Sequence, residues 1–204
     1  MRGGMTTIAL TPKLAIVLVL AACVFLFAGC ASIPNAGDAA DQRVFLELKH
    51  QRQGTDLCVP TSASMILAYY GEERDPQWLQ SISTPKGSTF KGAYPVDMVR
   101  GMGKLGYRWD LVCYVNDPNG YSNGISRLKW NLRHQRPVMV GFSNPPLGHV
   151  VVLVGLDSEK SQLTFLDPDR PYPGLVTMSE ERFREAWHEK ISPYRCAIFT
   201  RPKE

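Results

Sequence analysis

The sequence predicts an α+β domain in which an antiparallel sheet packs on one early helix. Two observations carry that expectation. A helix-patterned stretch at residues 60–70 comes first, and short apolar runs of strand character at 108–115, 137–143, 149–156, 162–167 and 194–200 cluster after it. Further helical patterns at 95–105, 125–134 and 179–189 interleave with those runs. Composition agrees with a globular domain. With 204 residues, 44% hydrophobic and 21% charged, the chain lies far from collagen, coiled coil or a polar disordered tail. A net charge of +4 is too mild to imply nucleic acid, and no stretch gathers Lys and Arg beside aromatic residues. The single long apolar run excludes a bundle of membrane-spanning helices.

That run opens the chain. Arg2 and Lys13 are the only charges before Gly29, and the residues from Leu14 to Ala28 are apolar, which is the basic, apolar, small-residue order of a secretory signal. Leu26-Phe27-Ala28-Gly29-Cys30 resembles a bacterial lipobox, with Phe27 standing where Leu is usual. The resemblance implies that residues 1–29 are removed and that Cys30 carries lipid. Residues 30–42 then read as the lipidated N-terminus and a flexible tether, because ASIPNAGDAADQ is small, polar and without periodicity. The domain is expected over 43–204, lipid-anchored to a membrane of the cell envelope. Ala31 is not the Asp that resembles an inner-membrane retention signal, so the expected location is the outer membrane facing the periplasm where the cell has one.

The most informative stretch is GTDLCVPTSASMILAYYG, residues 54–71. Pro60 suits a first helical turn, Ala63, Ile66, Leu67 and Tyr70 recur at helical spacing, and Gly71 is placed to end the helix. Cys58 therefore falls at the helix N-terminus, where unpaired backbone N–H groups and the macrodipole favour negative charge on a sulfur. Taken alone, a free Cys is more often a small buried hydrophobe.

The later strands change the weighing. Pro137–Phe142 is a short apolar run, and after the loop 143–148 the run from His149 to Gly155 is another, which sets His149 at a strand start. The stretch from Gln162 to Leu166 is a third, ended by the turn signal Asp167-Pro168, with Asp169 as a competing carboxylate. A thiol at a helix start, an imidazole at a strand start and a carboxylate at a strand end are the attacker, base and orienter of a thiol hydrolase.

These blocks resemble the papain-like peptidases related to the bacteriocin-processing, double-glycine leader peptidase family. Its motifs are a Gln, then Cys-(Gly)-Pro-Thr-(Ser/Ala) opening a helix, then Gly-His before an apolar strand, then Asp-Pro. This chain supplies Gln53, Cys58-Val59-Pro60-Thr61-Ser62-Ala63, Gly148-His149 and Asp167-Pro168, and the likeness runs from about Phe45 to the C-terminus. The resemblance implies a papain-like fold whose cleft lies between helix start and sheet, and a cysteine peptidase acting on peptides or proteins through an acyl-enzyme. Cys58 would be the nucleophile, His149 the base, Asp167 its orienter and Gln53 an oxyanion donor beside the Cys58 N–H. Two departures stand out. Val59 replaces the usual Gly, and Gln53 lies five residues before Cys58 and Gln51 seven, where six is common. Two other readings stay open: a catalytically silent peptide-binding relative, with Val59 the first suspect, and a thiol amidase or acyltransferase acting on cell-wall peptide. The amidase signature Asp-Cys-Ser-Gly is absent, since Leu57 and Val59 flank Cys58.

Other signals carry less. Gly101-Met-Gly103-Lys-Leu-Gly106 spells G-x-G-x-x-G, but it follows a helical stretch where a dinucleotide site needs a strand, so nucleotide is not expected and the glycines read as a helix end. His50, His134 and His188 lack metal-ligand spacing, and neither metal nor cofactor is expected. Phe183 and Trp187, spaced i, i+4, read as the core face of a helix opened by Ser179, Glu180 and Glu181, and Trp130 as the core face of its own helix. Cys113 and Cys196 sit beside Val112 and Ala197 on strand-like stretches, so both are expected buried and unpaired, with Cys58 also free.

Overall fold

The structure is a computed structural model that describes residues 42–90, 92–142, 148–187 and 193–204. The signal, Cys30, all of the tether except Gln42, and His188 lie outside the described residues. In chain order the elements are β1 (Arg43–Phe45), α1 (Cys58–Tyr69), α2 (Pro76–Ser83), α3 (Pro95–Lys104), β2 (Asp110–Val115) and α4 (Pro118–Arg133). There follow β3 (Val138–Phe142), β4 (His149–Asp157), β5 (Gln162–Leu166), β6 (Leu175–Ser179), α5 (Glu180–Ala186) and β7 (Tyr194–Phe199).

Capping chemistry sets most of the helix starts. Asp75 accepts from Trp78 N–H at 2.8 Å ahead of Pro76 in α2, and Asp117 accepts from Gly120 N–H at 2.6 Å ahead of Pro118 in α4. Ser179 accepts from Arg182 N–H at 3.2 Å in α5. α1 differs, because its N-cap is Leu57, which has no side-chain oxygen to offer.

The seven strands form one antiparallel sheet in the order β2-β7-β3-β4-β5-β6, with β1 beside the far end of β4. Strand alternation and register put Val138, Val140, Ala197 and Phe199 on one face, and Met139, Gly141, Ile198 and Val150 on the other. The first face meets α4 and α5. Phe165, Phe183 and Trp187 stack in a row there and Phe142 meets Phe165 edge-on, with centroids 5.1–5.3 Å apart, and the Arg127 guanidinium of α4 lies 4.1 Å from the Phe199 ring centre. The second face lines an apolar cleft under Pro95 at the start of α3. α1 packs on β4 and is buried from Val59 to Leu67; its Ser62 hydroxyl donates to the Val150 carbonyl at 3.3 Å.

The α+β class and the sheet on the Cys58 helix stand as expected, and several details change. α4 begins at Pro118 rather than 125, and α2, β1 and β6 are additional elements. Gly101 and Gly103 lie inside α3, with Gly106 just past its end. Phe183 and Trp187 are fully buried as expected, but Trp130 is 48% exposed, stacked on His134 at 3.8 Å, while Leu128 and Leu132 supply the core face of α4. The cysteine expectation is corrected outright: Cys113 and Cys196 form a disulfide. β2 and β7 pair in a register that sets the two residues directly opposite, with Cα atoms 4.1 Å apart, and Cys113 is exposed rather than buried.

Candidate active site

α1 carries Cys58 as its first residue, half-buried and free of disulfide. The first intrahelical bond runs from Thr61 N–H to the Leu57 carbonyl, and Pro60 has no N–H. With Leu57 offering no cap, the Cys58 and Val59 N–H groups at the helix start are not spent on a side chain. Val59 itself is 4% exposed and belongs to the hydrophobic core, so its isopropyl group is packed inward.

β4 brings His149 to the same place. The imidazole Nε2 lies 2.6 Å from Asp167 Oδ1, just past the end of β5, and the ring is near enough to the Cys58 side chain for the sulfur to influence its pKa. With Nε2 engaged by the carboxylate, Nδ1 is left for the sulfur. The antiparallel register that sets Val152 opposite Leu166 delivers the two residues to one end of the sheet and one face of it. Asp169 is exposed and donates its backbone N–H to Asp167 Oδ1 at 2.9 Å, so of the two carboxylates it is Asp167 that meets the imidazole. Arg170 Nε approaches Asp167 Oδ2 at 3.5 Å, a contact the Asp-Pro-Asp-Arg turn makes through i, i+3 spacing.

Burial opposes a charged imidazole. The hydrogen bond to Asp167, the nearby Cys58 sulfur and the negative charge of both outweigh it, and the His149 pKa rises from 6.5 to about 9. For Asp167, burial again works against the charge, while His149, the Asp169 N–H and Arg170 lower its pKa below the ordinary 3.8. The two shifts act on stability with opposite sign. The His149 contribution is complete below about pH 6.5 and is lost as pH rises through 9; the Asp167 contribution is present above 3.8 and is lost as pH falls through its lower folded value.

Of the two candidate oxyanion glutamines, Gln53 is tied by its backbone to the turn that bears Asp167, and Gln51 by its backbone to α1. Gln53 donates its backbone N–H to the Pro168 carbonyl at 2.7 Å, and Gln51 donates its own to the Met65 sulfur at 3.3 Å. The Oε1 atoms of both are buried without a hydrogen-bond partner, leaving each amide with unused capacity. His50, which lacks metal-ligand spacing, places its Nε2 3.0 Å from the Asp167 carbonyl oxygen. No local motif signals that contact.

An antiparallel sheet on a helix that opens with a cysteine defines the class: the fold is that of the papain-like cysteine peptidases. Residues 45–191 match the Peptidase C39-like family, so the chain belongs to that family and is a cysteine peptidase. Among solved structures, it resembles the peptidase domain of Streptococcus ComA, a bi-functional ABC transporter of a quorum-sensing pathway. Identity there is 23%, over 78% of this chain and 99% of the other, with a TM-score of 0.55. A C39-like peptidase from Bacillus anthracis gives 18% identity over 79% and 99%, with a TM-score of 0.57. Xylellain, a cysteine protease from Xylella fastidiosa, gives 12% over 79% and 88%, with a TM-score of 0.54. At these identities the likeness speaks for the fold. No curated relative matches the chain.

Proposed function

We propose that this peptidase is a membrane-anchored thiol hydrolase that cleaves peptide bonds with Cys58, His149 and Asp167 as its triad. The observation that carries the reading is the His149 imidazole, bonded to Asp167 at 2.6 Å and close enough to Cys58 for the sulfur to raise its pKa. The Cys58 thiolate attacks the scissile carbonyl carbon. The Cys58 N–H and the Gln53 side-chain amide receive the oxyanion, at about 3 kcal/mol per donor in comparable sites. The imidazolium gives its proton to the leaving amine as the C–N bond breaks, leaving a thioester on Cys58. His149 then takes a proton from water, whose oxygen attacks the thioester, and the acid departs as the thiolate reforms. Asp167 holds the ring throughout and favours its cation.

Asp167→Asn tests the electrostatic half of this reading. Iodoacetate, being anionic, is drawn to Cys58 while His149 is cationic, so wild-type alkylation should fall as pH rises through about 9. Asn removes the carboxylate that raises the His149 pKa, so the falling limb should move lower. Turnover should drop less than on loss of Cys58, because an amide oxygen still accepts the imidazole N–H. An unmoved limb would count against Asp167.

The anchor belongs to the same proposal. Residues 1–29 are the signal, Cys30 is acylated, 31–42 tether the domain, and 43–204 act in the cell envelope, at the outer membrane facing the periplasm where there is one. Support comes from the lipobox-like run ending in Gly29-Cys30. Two or three acyl chains give durable attachment where one gives only marginal binding. Mass spectrometry of the mature N-terminus should find a diacylglyceryl Cys30; an unmodified N-terminus downstream of it would sink the lipoprotein assignment.

A further inference from the structure

We infer that His50 is a positioning residue of this site, tying the segment that bears the candidate oxyanion glutamines to the turn that bears Asp167. The inference rests on the triad reading above. His50 Nε2 lies 3.0 Å from the Asp167 backbone oxygen; a carbonyl only accepts, so Nε2 carries the proton and donates. Three residues on, Gln53 N–H donates to the next carbonyl, that of Pro168, at 2.7 Å. The stretch 50–53 is thus bonded twice to consecutive residues of the acid turn. Within that turn Asp167 N–H donates to the Gly174 carbonyl at 2.8 Å, and Arg170 N–H reaches the Asp167 carbonyl at 3.3 Å. His50 is the grip from outside.

The turn is shaped to receive the ring. Gly174 has φ of +69°, and a Cβ there would collide with the imidazole of His50. The exposed Tyr172 ring of the same turn lies tilted beside it, its centroid 6.4 Å from that of His50. His50 therefore fixes the Asp167 backbone while the Asp167 carboxylate fixes His149. A misplacement of about 1 Å in such a chain can change a rate on the order of 10²-fold. The titratable groups facing His149 are Asp167 and Cys58, and Arg170 faces Asp167 in turn.

The test compares His50→Phe, which keeps a ring and loses the donor, with His50→Gln, whose amide nitrogen reaches about as far as Nε2. The readout is iodoacetate alkylation of Cys58 against pH in the full chain, with thermal unfolding measured alongside. His50→Phe should move the falling limb down by at least about half a pH unit as Asp167 loosens from His149, and His50→Gln should restore it. A merely structural histidine would lower the melting temperature and leave the limb in place, which overturns the proposal. So would a Gln variant as shifted as Phe. Asp167→Asn separates the two levels: if it leaves the limb unmoved, the triad reading fails and the tie with it. If Asp167→Asn moves the limb and His50→Phe does not, the tie alone fails.

Discussion

Cys58→Ala is expected to abolish hydrolysis of every peptide the wild type cleaves, a loss of at least about 10³-fold in kcat/KM. No other described residue of the site supplies a thiol, since Cys113 and Cys196 are joined to each other. The fold should hardly notice: Cys58 is half-buried at a helix start, and truncating it removes one sulfur from a partly open position, about 1 kcal/mol or less. His149→Ala should cost turnover as much, because the groups of a triad act as a unit. It should also remove the pH 9 limb from alkylation, which Cys58→Ala cannot report. A peptide library, with purified muropeptides as a parallel arm, separates a peptidase from an amidase of cell-wall peptide. If the Ala variant matches the wild type on every substrate, and Cys58 alkylates no faster than a free thiol, the triad assignment fails.

The residues of this site were readable where local chemistry and chemical role coincide. Pro60 fits only an opening turn, which put Cys58 at the start of α1. Asp167-Pro168 ends a strand by its own turn chemistry, and the apolar run after His149 declares β4. What escaped was decided by tertiary contact. The stretch Pro118-Asn-Gly-Tyr-Ser-Asn-Gly124, rich in turn residues, forms the first two turns of α4 behind the Asp117 cap, and at Gly124 a Cβ would run into the Trp187 ring. Glycine there follows from a close approach that local propensity does not record. β6 is an edge strand with alternating half-exposure, and β1 has three residues, too few for a pattern. Val59 looked like a threat to the nucleophile because sequence gives no direction to a side chain; the helix turns it into the core. The tie of His50 to Asp167 spans 117 residues and depends on a turn geometry that no spacing rule encodes.

The pairing of Cys113 with Cys196 escaped for the same reason, and its removal is expected to have the largest effect on stability. The bond spans 83 residues, and closing a loop of that size in the unfolded chain corresponds to about 4 to 5 kcal/mol at 25 °C, near the upper end of measured values. Among the described strands β2 lies at the edge of the sheet with β7 as its one neighbour, and none of them pairs with its other side to compensate. The six register pairs from Asp110↔Phe199 to Val115↔Tyr194 remain when the sulfurs are gone, and the native ladder should survive with them. The effect then falls on the unfolded state, which regains the freedom the crosslink had removed. Cys113→Ala with Cys196→Ala isolates that term: Cys113 is exposed and Cys196 half-buried, so little core packing changes with the pair. The double variant should unfold in urea with about 3 to 5 kcal/mol less stability and melt roughly 10 °C lower. Alkylation of Cys58 in native buffer should keep its rate and its pH limb, because the crosslink touches neither His149 nor Asp167. A loss below about 1 kcal/mol would mean that the unfolded chain is already held compact without the bond. A slowed Cys58 would mean instead that β2 and β7 transmit their position to the catalytic end of the sheet.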